Sequence, residues 1–229
     1  MPVEIPTHLT PELVPLSWLL GTWSGEGRLG AGNEGDERIR QQVTFSQDGL
    51  PFLRYEARSW LVDGEGRQIR PLTSEAGFWA LDRPMTDADV GPGMRPAEIV
   101  PALKSAEEVE ELRNEAGGFD ITATIVHPGG IAELYYGSIK GAVVELGTDL
   151  VMRGRSSKEY AAATRLYGLV NGSLFFRWDV QEDGEMKPHA SVAMAKIAEP
   201  PAPEPREEAG DGKPSEGADG TGVNPAEGE

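Results

Sequence analysis

The chain has 229 residues and a formal net charge of −17, with 38 acidic and 21 basic side chains. Such an acidic balance leaves no basic face for a nucleic-acid partner, so we exclude that class of function. The sequence has no cysteine, which excludes disulfides, thiolate catalysis and cysteine-bound metals.

Residues 1–10 form an N-terminal lead that carries neither a basic region nor a long apolar run. No stretch of the sequence approaches about 18 uninterrupted apolar residues, the length that a membrane-spanning helix needs. We therefore expect no membrane segment and a cytoplasmic location. The sequence leaves open whether the chain forms a homodimer.

A short helix is predicted over residues 11–20, and a first strand that is rich in glycine follows it. Gly21, Gly25 and Gly27 surround Trp23. In a helix each glycine would cost about 1 kcal/mol relative to alanine, whereas in a bent barrel strand it permits tight coiling and close backbone approach. The pattern predicts a coiled first strand with Trp23 at the end of a small barrel. A glycine-rich turn beside one buried tryptophan is the alternative.

Ten strand-like runs can be read along the chain, and turn residues separate them. Asn171-Gly172 and Asp183-Gly184 are strong hairpin signals, because both central residues of each turn tolerate positive φ. Ten hairpin-connected strands predict an all-β fold, an up-and-down antiparallel barrel of ten strands, which removes exposed edges. The runs are Thr22–Leu29, Arg38–Ser46, Pro51–Val62, Ser74–Leu81, Phe119–His127, Gly130–Ile139, Ala142–Thr148, Glu159–Val170, Leu174–Gln181 and Met186–Ile197.

Two segments depart from the barrel pattern, which otherwise spans residues 11–198. Residues 83–117 form an insertion in which Ser105 and Glu108 predict the capping box of an acidic helix over residues 105–116. This insertion is either a lid or a solvated excursion. Residues 199–229 are predicted to be a disordered acidic tail, because residues 200–229 hold eight acidic and two basic residues and no aromatic.

The glycine motif and several further stretches together resemble the nitrobindin family. The resemblance is carried by Leu16–Gly27, Gly49–Tyr55, Thr73–Phe78, His127–Leu134, Ser157–Tyr160 with Arg165–Tyr167, and Pro188–Val192. It implies a ten-stranded antiparallel barrel that binds haem b in a wide surface pocket. It also implies isomerisation of peroxynitrite to nitrate and binding of nitric oxide.

His189 stands where the family places its haem-iron ligand, so the resemblance makes it the candidate metal ligand and catalytic residue. On a regular strand His189 would share its face with small residues, which leaves room for a flat macrocycle. Neutral imidazole is a suitable axial ligand for haem iron. The alternative is a half-exposed histidine in a hairpin strand. The small side chains on that face are Ser191, Ala193 and Ala195.

One stretch departs from the family pattern. Nitrobindins follow the glycine motif with a Tyr-Pro-Thr-Ile-like segment that lines the pocket, whereas this chain has Ala31-Gly32-Asn33-Glu34. Asn33 is the candidate to supply the hydrogen bond of the missing threonine. Either the 83–117 insertion covers that side, or the pocket does not hold haem. A haem-free barrel that binds a small apolar ligand, or serves as a binding module, is therefore the alternative function.

Three other basic or histidine positions are candidates. Lys158 or Arg165 could bind a haem propionate or an anionic substrate by a charge-assisted hydrogen bond. The alternative, to which we give equal weight, is that Lys158 and Arg165 form salt bridges with Glu75 or Glu159. His127 precedes Pro128-Gly129-Gly130 and either lines a pocket or caps a hairpin turn. His8, in the lead, is assigned no role.

Overall fold

The computed structural model describes residues 9–30, 36–87, 89 and 102–197. Ten antiparallel strands form a closed barrel in which sequence neighbours pair and β1 pairs with β10. This confirms the predicted all-β, up-and-down barrel. The strands are β1 Gly21–Leu29, β2 Glu37–Ser46, β3 Leu53–Val62, β4 Gln68–Leu81, β5 Phe119–His127, β6 Ile131–Lys140, β7 Val143–Arg153, β8 Ala163–Val170, β9 Ser173–Glu182 and β10 Glu185–Ile197.

Two short 3₁₀ turns, Pro11–Leu13 and Ser17–Leu19, precede β1. The predicted short helix over residues 11–20 is present as these two 3₁₀ turns and not as one continuous helix, because Pro15 lies between them and has no N–H to donate. Within the described part of the chain, no helix has the length and apolarity needed to cross a membrane.

These turns close one end of the barrel, which we call the closed end. Leu13, Leu16 and Leu19 have no exposed surface, and Trp23 is 3% exposed. The indole Nε1 of Trp23 donates to the carbonyl of Leu19 at 2.7 Å. Trp23 therefore joins the first strand to the turn that covers it.

Two glycines of β1 permit close contact with β10. A Cβ at Gly25 would lie 1.9 Å from the carbonyl oxygen of Ala193, and one at Gly27 would lie 1.9 Å from that of Ser191. Any side chain would force the two strands apart, so the glycines are required where the sheet closes on itself.

The hairpins confirm the turn signals, but three strand boundaries differ from the prediction by four or more residues. β4 begins six residues earlier than predicted, at Gln68, and β7 ends five residues later, at Arg153. Asn171 and Gly172 have φ of 52° and 80°, and Asp183 and Gly184 have 54° and 83°, as type I′ turns require. β8 begins at Ala163, whereas the sequence predicted a strand from Glu159. The preceding residues form a loop that is held by Ser157, whose hydroxyl donates to the carbonyls of Gly129 and Gly130.

The described part of the 83–117 segment contacts the closed end. Ser105 caps a helix α1, Ala106–Glu110, and accepts from the Glu108 N–H at 3.3 Å. The predicted helix over 105–116 is too long, and Glu108 accepts from the Lys104 N–H at 2.6 Å, so the capping box is not reciprocal. Arg83 pairs with Glu12 at 2.5 Å.

The other end of the barrel, which contains Leu29, His127 and His189, we call the histidine end. The Gly30 N–H donates to the carbonyl of His189 at 2.8 Å, beside the 31–34 stretch. Residues 1–8 of the lead, residues 31–34 and the predicted tail from residue 199 lie outside the described residues.

Candidate functional site

His189 lies at a β-bulge in β10. Pro188 pairs with Asp179 and Ala190 pairs with Trp178, so His189 is the extra residue between two paired positions. The edge-to-face contact of its imidazole with Trp178 has ring centroids 4.6 Å apart and planes at 77°. A bulge interrupts the alternation of side chains and turns this ring towards the barrel interior.

The bulge corrects the predicted face of His189. Beyond it, Ala190, Val192 and Met194 are buried, and the intervening small residues are exposed. His189 is half-buried against Trp178 and does not share the outer face of Ser191, Ala193 and Ala195. The prediction assumed regular alternation, which the bulge breaks.

The imidazole of His189 is neutral at neutral pH. Burial lowers its pKa below the ordinary value, and this effect outweighs the opposing influence of the Glu182 and Glu75 carboxylates. Neutral imidazole is the form that binds metals.

Trp178 connects His189 to a group of buried charges. The guanidinium carbon of Arg165 lies 4.6 Å from the centroid of the Trp178 ring. The His127 ring is nearly parallel to the indole, at 16°, with centroids 6.1 Å apart. Among the described residues, the buried Nε1 of Trp178 has no hydrogen-bond partner.

Arg165 is the centre of this group. Its side chain has no exposed surface and pairs with Glu75 at 2.7 Å and with Glu133 at 3.5 Å. Its Nε donates to the Tyr135 hydroxyl at 3.0 Å. The hydroxyl of Tyr55 donates to Glu75 at 2.8 Å. Arg165 thus joins carboxylates from β4 and β6 across the interior of the barrel.

Glu133 is the second centre. It accepts from the hydroxyls of Tyr135 and Tyr160, both at 2.5 Å. Its other carboxylate oxygen lies 2.5 Å from Nε2 of His127. We call the whole group the Arg165 cluster: Tyr55, Glu75, His127, Glu133, Tyr135, Tyr160, Arg165 and Tyr167.

The contacts of the cluster keep both carboxylates ionised. Burial acts to raise the pKa of Glu75, but the charge and hydrogen bonds of Arg165 outweigh it and hold that pKa below the ordinary value. Burial of Glu133 is likewise outweighed by hydrogen bonding to His127 and the charge of Arg165, so its pKa is also lowered. Burial and the neighbouring Glu133 charge raise the pKa of Tyr160, so its hydroxyl stays protonated and acts as a donor.

The structure decides two of the alternatives left open by the sequence. Arg165 forms the salt bridge with Glu75. The His127 ring contacts Glu133 and Trp178 within the cluster instead of capping the hairpin turn. Lys158 is exposed on the loop before β8, and Glu159 pairs with Arg153 at 3.1 Å. Asn33 and His8 lie outside the described residues.

The sequence reasoning missed Glu133, Tyr135 and Tyr160 as site residues, and it used Trp178 only as a strand marker. One available signal was a charged residue at a strand position whose neighbours two residues away face the interior. Arg165 lies between the buried Ala163 and Tyr167 on β8. Most of the stretches that carried the family resemblance each supply a member of the cluster, from Tyr55 to Tyr167.

The cluster does not itself form a metal site. Among the described residues, no group of three or more histidine, aspartate or glutamate side chains could hold a metal ion. A single imidazole such as His189 can hold iron only where another group, such as a porphyrin, supplies the remaining ligands.

Comparison with known proteins identifies the family. Residues 12–196 match the family model described as the THAP4-like, heme-binding beta-barrel domain. The chain belongs to this family. The resemblance to the nitrobindins is thereby confirmed.

Close relatives of this THAP4-like barrel carry one name. A protein named peroxynitrite isomerase from Renibacterium salmoninarum is 62% identical over 207 residues, which cover 90% of this chain and 99% of the relative. Another of that name, from Pseudarthrobacter chlorophenolicus, is 60% identical over 202 residues, which cover 86% and 100%. The crystal structure of Rv2717c from M. tuberculosis matches with a TM-score of 0.59 at 23% identity, covering 83% of this chain and 99% of that one, and shows the shared fold.

The residues at the histidine end fit the haem that this family binds. His189 offers a neutral imidazole, and Trp178 beside it offers an aromatic surface with a buried, unpartnered N–H within the described part of the site. Val62, the last residue of β3, and Val180, two residues before the end of β9, are buried at the same end of the barrel. One nitrogen ligand among aromatic and aliphatic side chains suits a flat, largely apolar macrocycle that contains iron.

Proposed function

We propose that this protein binds haem b at the histidine end of the barrel and converts peroxynitrite to nitrate, with His189 as the axial ligand of the iron. Nitric oxide binding accompanies this activity. The family assignment and the names of the relatives support haem binding and isomerase activity. The observation that carries the proposal is the bulge, which brings a neutral imidazole into the interior beside Trp178.

The reaction places few demands on the protein. Peroxynitrite and nitrate contain the same atoms and carry the same charge, so their interconversion consumes no external reductant or oxidant. When haem is bound, its iron supplies the reactive centre. The task of this chain is therefore to hold the macrocycle through His189, to orient it, and to exclude water with the aromatic wall that includes Trp178.

Two further residues have proposed roles. We assign Lys158, which is exposed on the loop before β8, to a haem propionate, where its ammonium group would form a charge-assisted hydrogen bond. We assign Asn33 to a hydrogen bond with the bound haem or its ligand, in place of the family threonine. In this proposal the small-molecule partners are haem, peroxynitrite and nitric oxide. Light scattering would test whether the protein forms a homodimer.

A hemin titration tests the proposal. Purified protein should develop a Soret band with one equivalent of hemin at micromolar concentration and should convert peroxynitrite to nitrate in stopped-flow assays. His189→Ala should lose the band and the activity, and added imidazole should restore part of the band. His8→Ala is the histidine control and should behave as the wild type.

Two results would change the conclusion. If the wild type takes up no hemin, the haem-free barrel with a small apolar ligand replaces the enzyme. If hemin binds and the spectrum is the same in His189→Ala, the ligand assignment is wrong.

A further inference from the structure

We propose that Trp178 is a positioning residue, which fixes the plane of the His189 imidazole, and that the Arg165 cluster is the brace that holds Trp178 in place. The inference rests on the proposed function in one respect, because it takes His189 as the iron ligand. It adds a role for a buried cluster that the ligand assignment leaves unused.

The first step concerns what holds the His189 side chain in its orientation. As the extra residue of the bulge, it has no paired residue in β9. Among the described residues, its imidazole has no hydrogen-bond partner to set the ring orientation, and the ring contact with Trp178 takes that place. Edge-to-face aromatic contacts have a preferred geometry, so the indole restricts rotation of the imidazole.

The second step is the support of Trp178 itself. The indole Nε1 has no partner in the described part of the chain, so no hydrogen bond of that atom fixes the ring. The Arg165 guanidinium at 4.6 Å and the His127 ring at 6.1 Å lie against it instead. Both of these groups are held by Glu133, and Arg165 is also held by Glu75.

The third step is the consequence for a bound metal. Groups around a ligating histidine orient its ring, and their loss commonly weakens metal binding by about 10–100-fold. That role usually belongs to a hydrogen bond from the second imidazole nitrogen. Here an aromatic wall, braced by buried charges from β4, β6 and β8, replaces it. The cluster therefore acts on the iron site through Trp178.

The test compares substitutions at two tryptophans. Trp178→Leu removes the aromatic edge, and Trp178→Phe keeps a smaller ring. Trp18→Leu is the matched control, because Trp18 is also largely buried with an unpartnered Nε1, but it lies at the closed end. Hemin affinity is measured by Soret titration, and the ligand field of the ferric protein by electron paramagnetic resonance.

We expect Trp178→Leu to weaken hemin binding about 10-fold and to split or broaden the ferric resonance, because the imidazole samples several planes. Trp178→Phe should weaken binding by roughly two- to threefold, with slight broadening. Trp18→Leu should leave both readouts as in the wild type. If Trp178→Leu does not fold, Trp178→Phe decides, and a resonance and affinity equal to the wild type would overturn the proposal.

Failure of the proposed function is distinguishable from failure of this inference. If the wild type binds hemin but Trp178→Leu matches it in affinity and resonance, the positioning role is wrong and the haem site stands. If the wild type binds no hemin, NMR of the apoprotein decides. Nuclear Overhauser contacts between the His189 and Trp178 rings in the wild type would support the positioning role, and their absence would overturn it.

Discussion

Replacement of Arg165 by methionine would remove the only buried cation described among the carboxylates of the cluster. Methionine has a similar length and is apolar, so the main change is the loss of charge and hydrogen bonds. Glu133 would keep its contacts with Tyr135, Tyr160 and His127. Glu75 would keep one short hydrogen bond, from Tyr55 at 2.8 Å.

The cost can be worked from these contacts. Removal of one partner of a buried ion pair typically destabilises a protein by about 3–5 kcal/mol, because a buried charge is left without compensation. Glu75 is that charge here, since its side chain is 3% exposed. We expect Arg165→Met to lower the free energy of unfolding by about 3–5 kcal/mol at pH 7. The double variant Glu75→Gln with Arg165→Met removes the charge and should recover part of that loss.

The pH dependence has opposite signs in the two proteins. In the wild type the pKa of Glu75 is lowered, because Arg165 outweighs the effect of burial. Its contribution to stability is thus present above the unfolded pKa and is lost as the pH falls. Without Arg165, burial would raise the folded pKa above the unfolded value. The penalty in Arg165→Met should therefore shrink as the pH falls from 7 to 5.

Urea unfolding, followed by tryptophan fluorescence, measures both effects. Arg177→Met is the control, because Arg177 forms an exposed pair with Asp179 at 2.8 Å and such pairs contribute about 0–1 kcal/mol. A loss below about 1 kcal/mol for Arg165→Met, with the same pH slope as the wild type, would refute the reasoning that the cluster is a buried, mutually compensated network.

Three further substitutions, one of them with a control variant, test the closed end and the closure of the sheet. Trp23→Ala should lower the free energy of unfolding by about 3–5 kcal/mol, and a urea curve equal to the wild type would mean that Trp23 is not a core residue. Gly27→Ala should cost about 1–3 kcal/mol through steric conflict with β10, whereas Gly147→Ala should be near neutral because a Cβ there meets nothing within 4 Å. Glu12→Gln, which leaves Arg83 with a weaker partner, should cost about 1–3 kcal/mol and increase proteolysis within residues 83–117; unchanged cleavage would argue against this contact as an anchor.

The fold could be predicted from the sequence because its decisive signals are local. Asn171-Gly172 and Asp183-Gly184 fix their hairpins through residues that tolerate positive φ, and the structure has positive φ at all four positions. A meander of hairpins then leaves a closed barrel as the simplest way to remove its edges. The short helix predicted before β1 is present as two 3₁₀ turns, with Pro15 between them.

The site could be predicted only in part, because its geometry is not local. The family resemblance pointed to His189, but the bulge that turns it inwards depends on the pairing of β10 with β9. The partners of Arg165 come from strands far apart in sequence, with Glu75 at a separation of 90 residues. The alternation of side chains along β8 predicts that Arg165 faces the interior. It does not predict which carboxylates Arg165 contacts there.

The packing of the barrel centre bears on the choice between a haem protein and a carrier of apolar ligands. Phe45, Tyr55, Trp79 and Tyr167 contact one another there, with ring centroids 5.2–6.2 Å apart. The Arg165 cluster adjoins this layer through Tyr55 and Tyr167. An apolar ligand in the centre of the barrel would have to displace the aromatic layer or separate the buried charges of the cluster from their partners. Both changes would cost free energy. Deep binding is therefore disfavoured, whereas a ligand at the histidine end would lie beside the His189 imidazole and Trp178. A metal-containing macrocycle gains from that imidazole, whereas a purely apolar ligand gains nothing from it, so the packing of the interior favours haem.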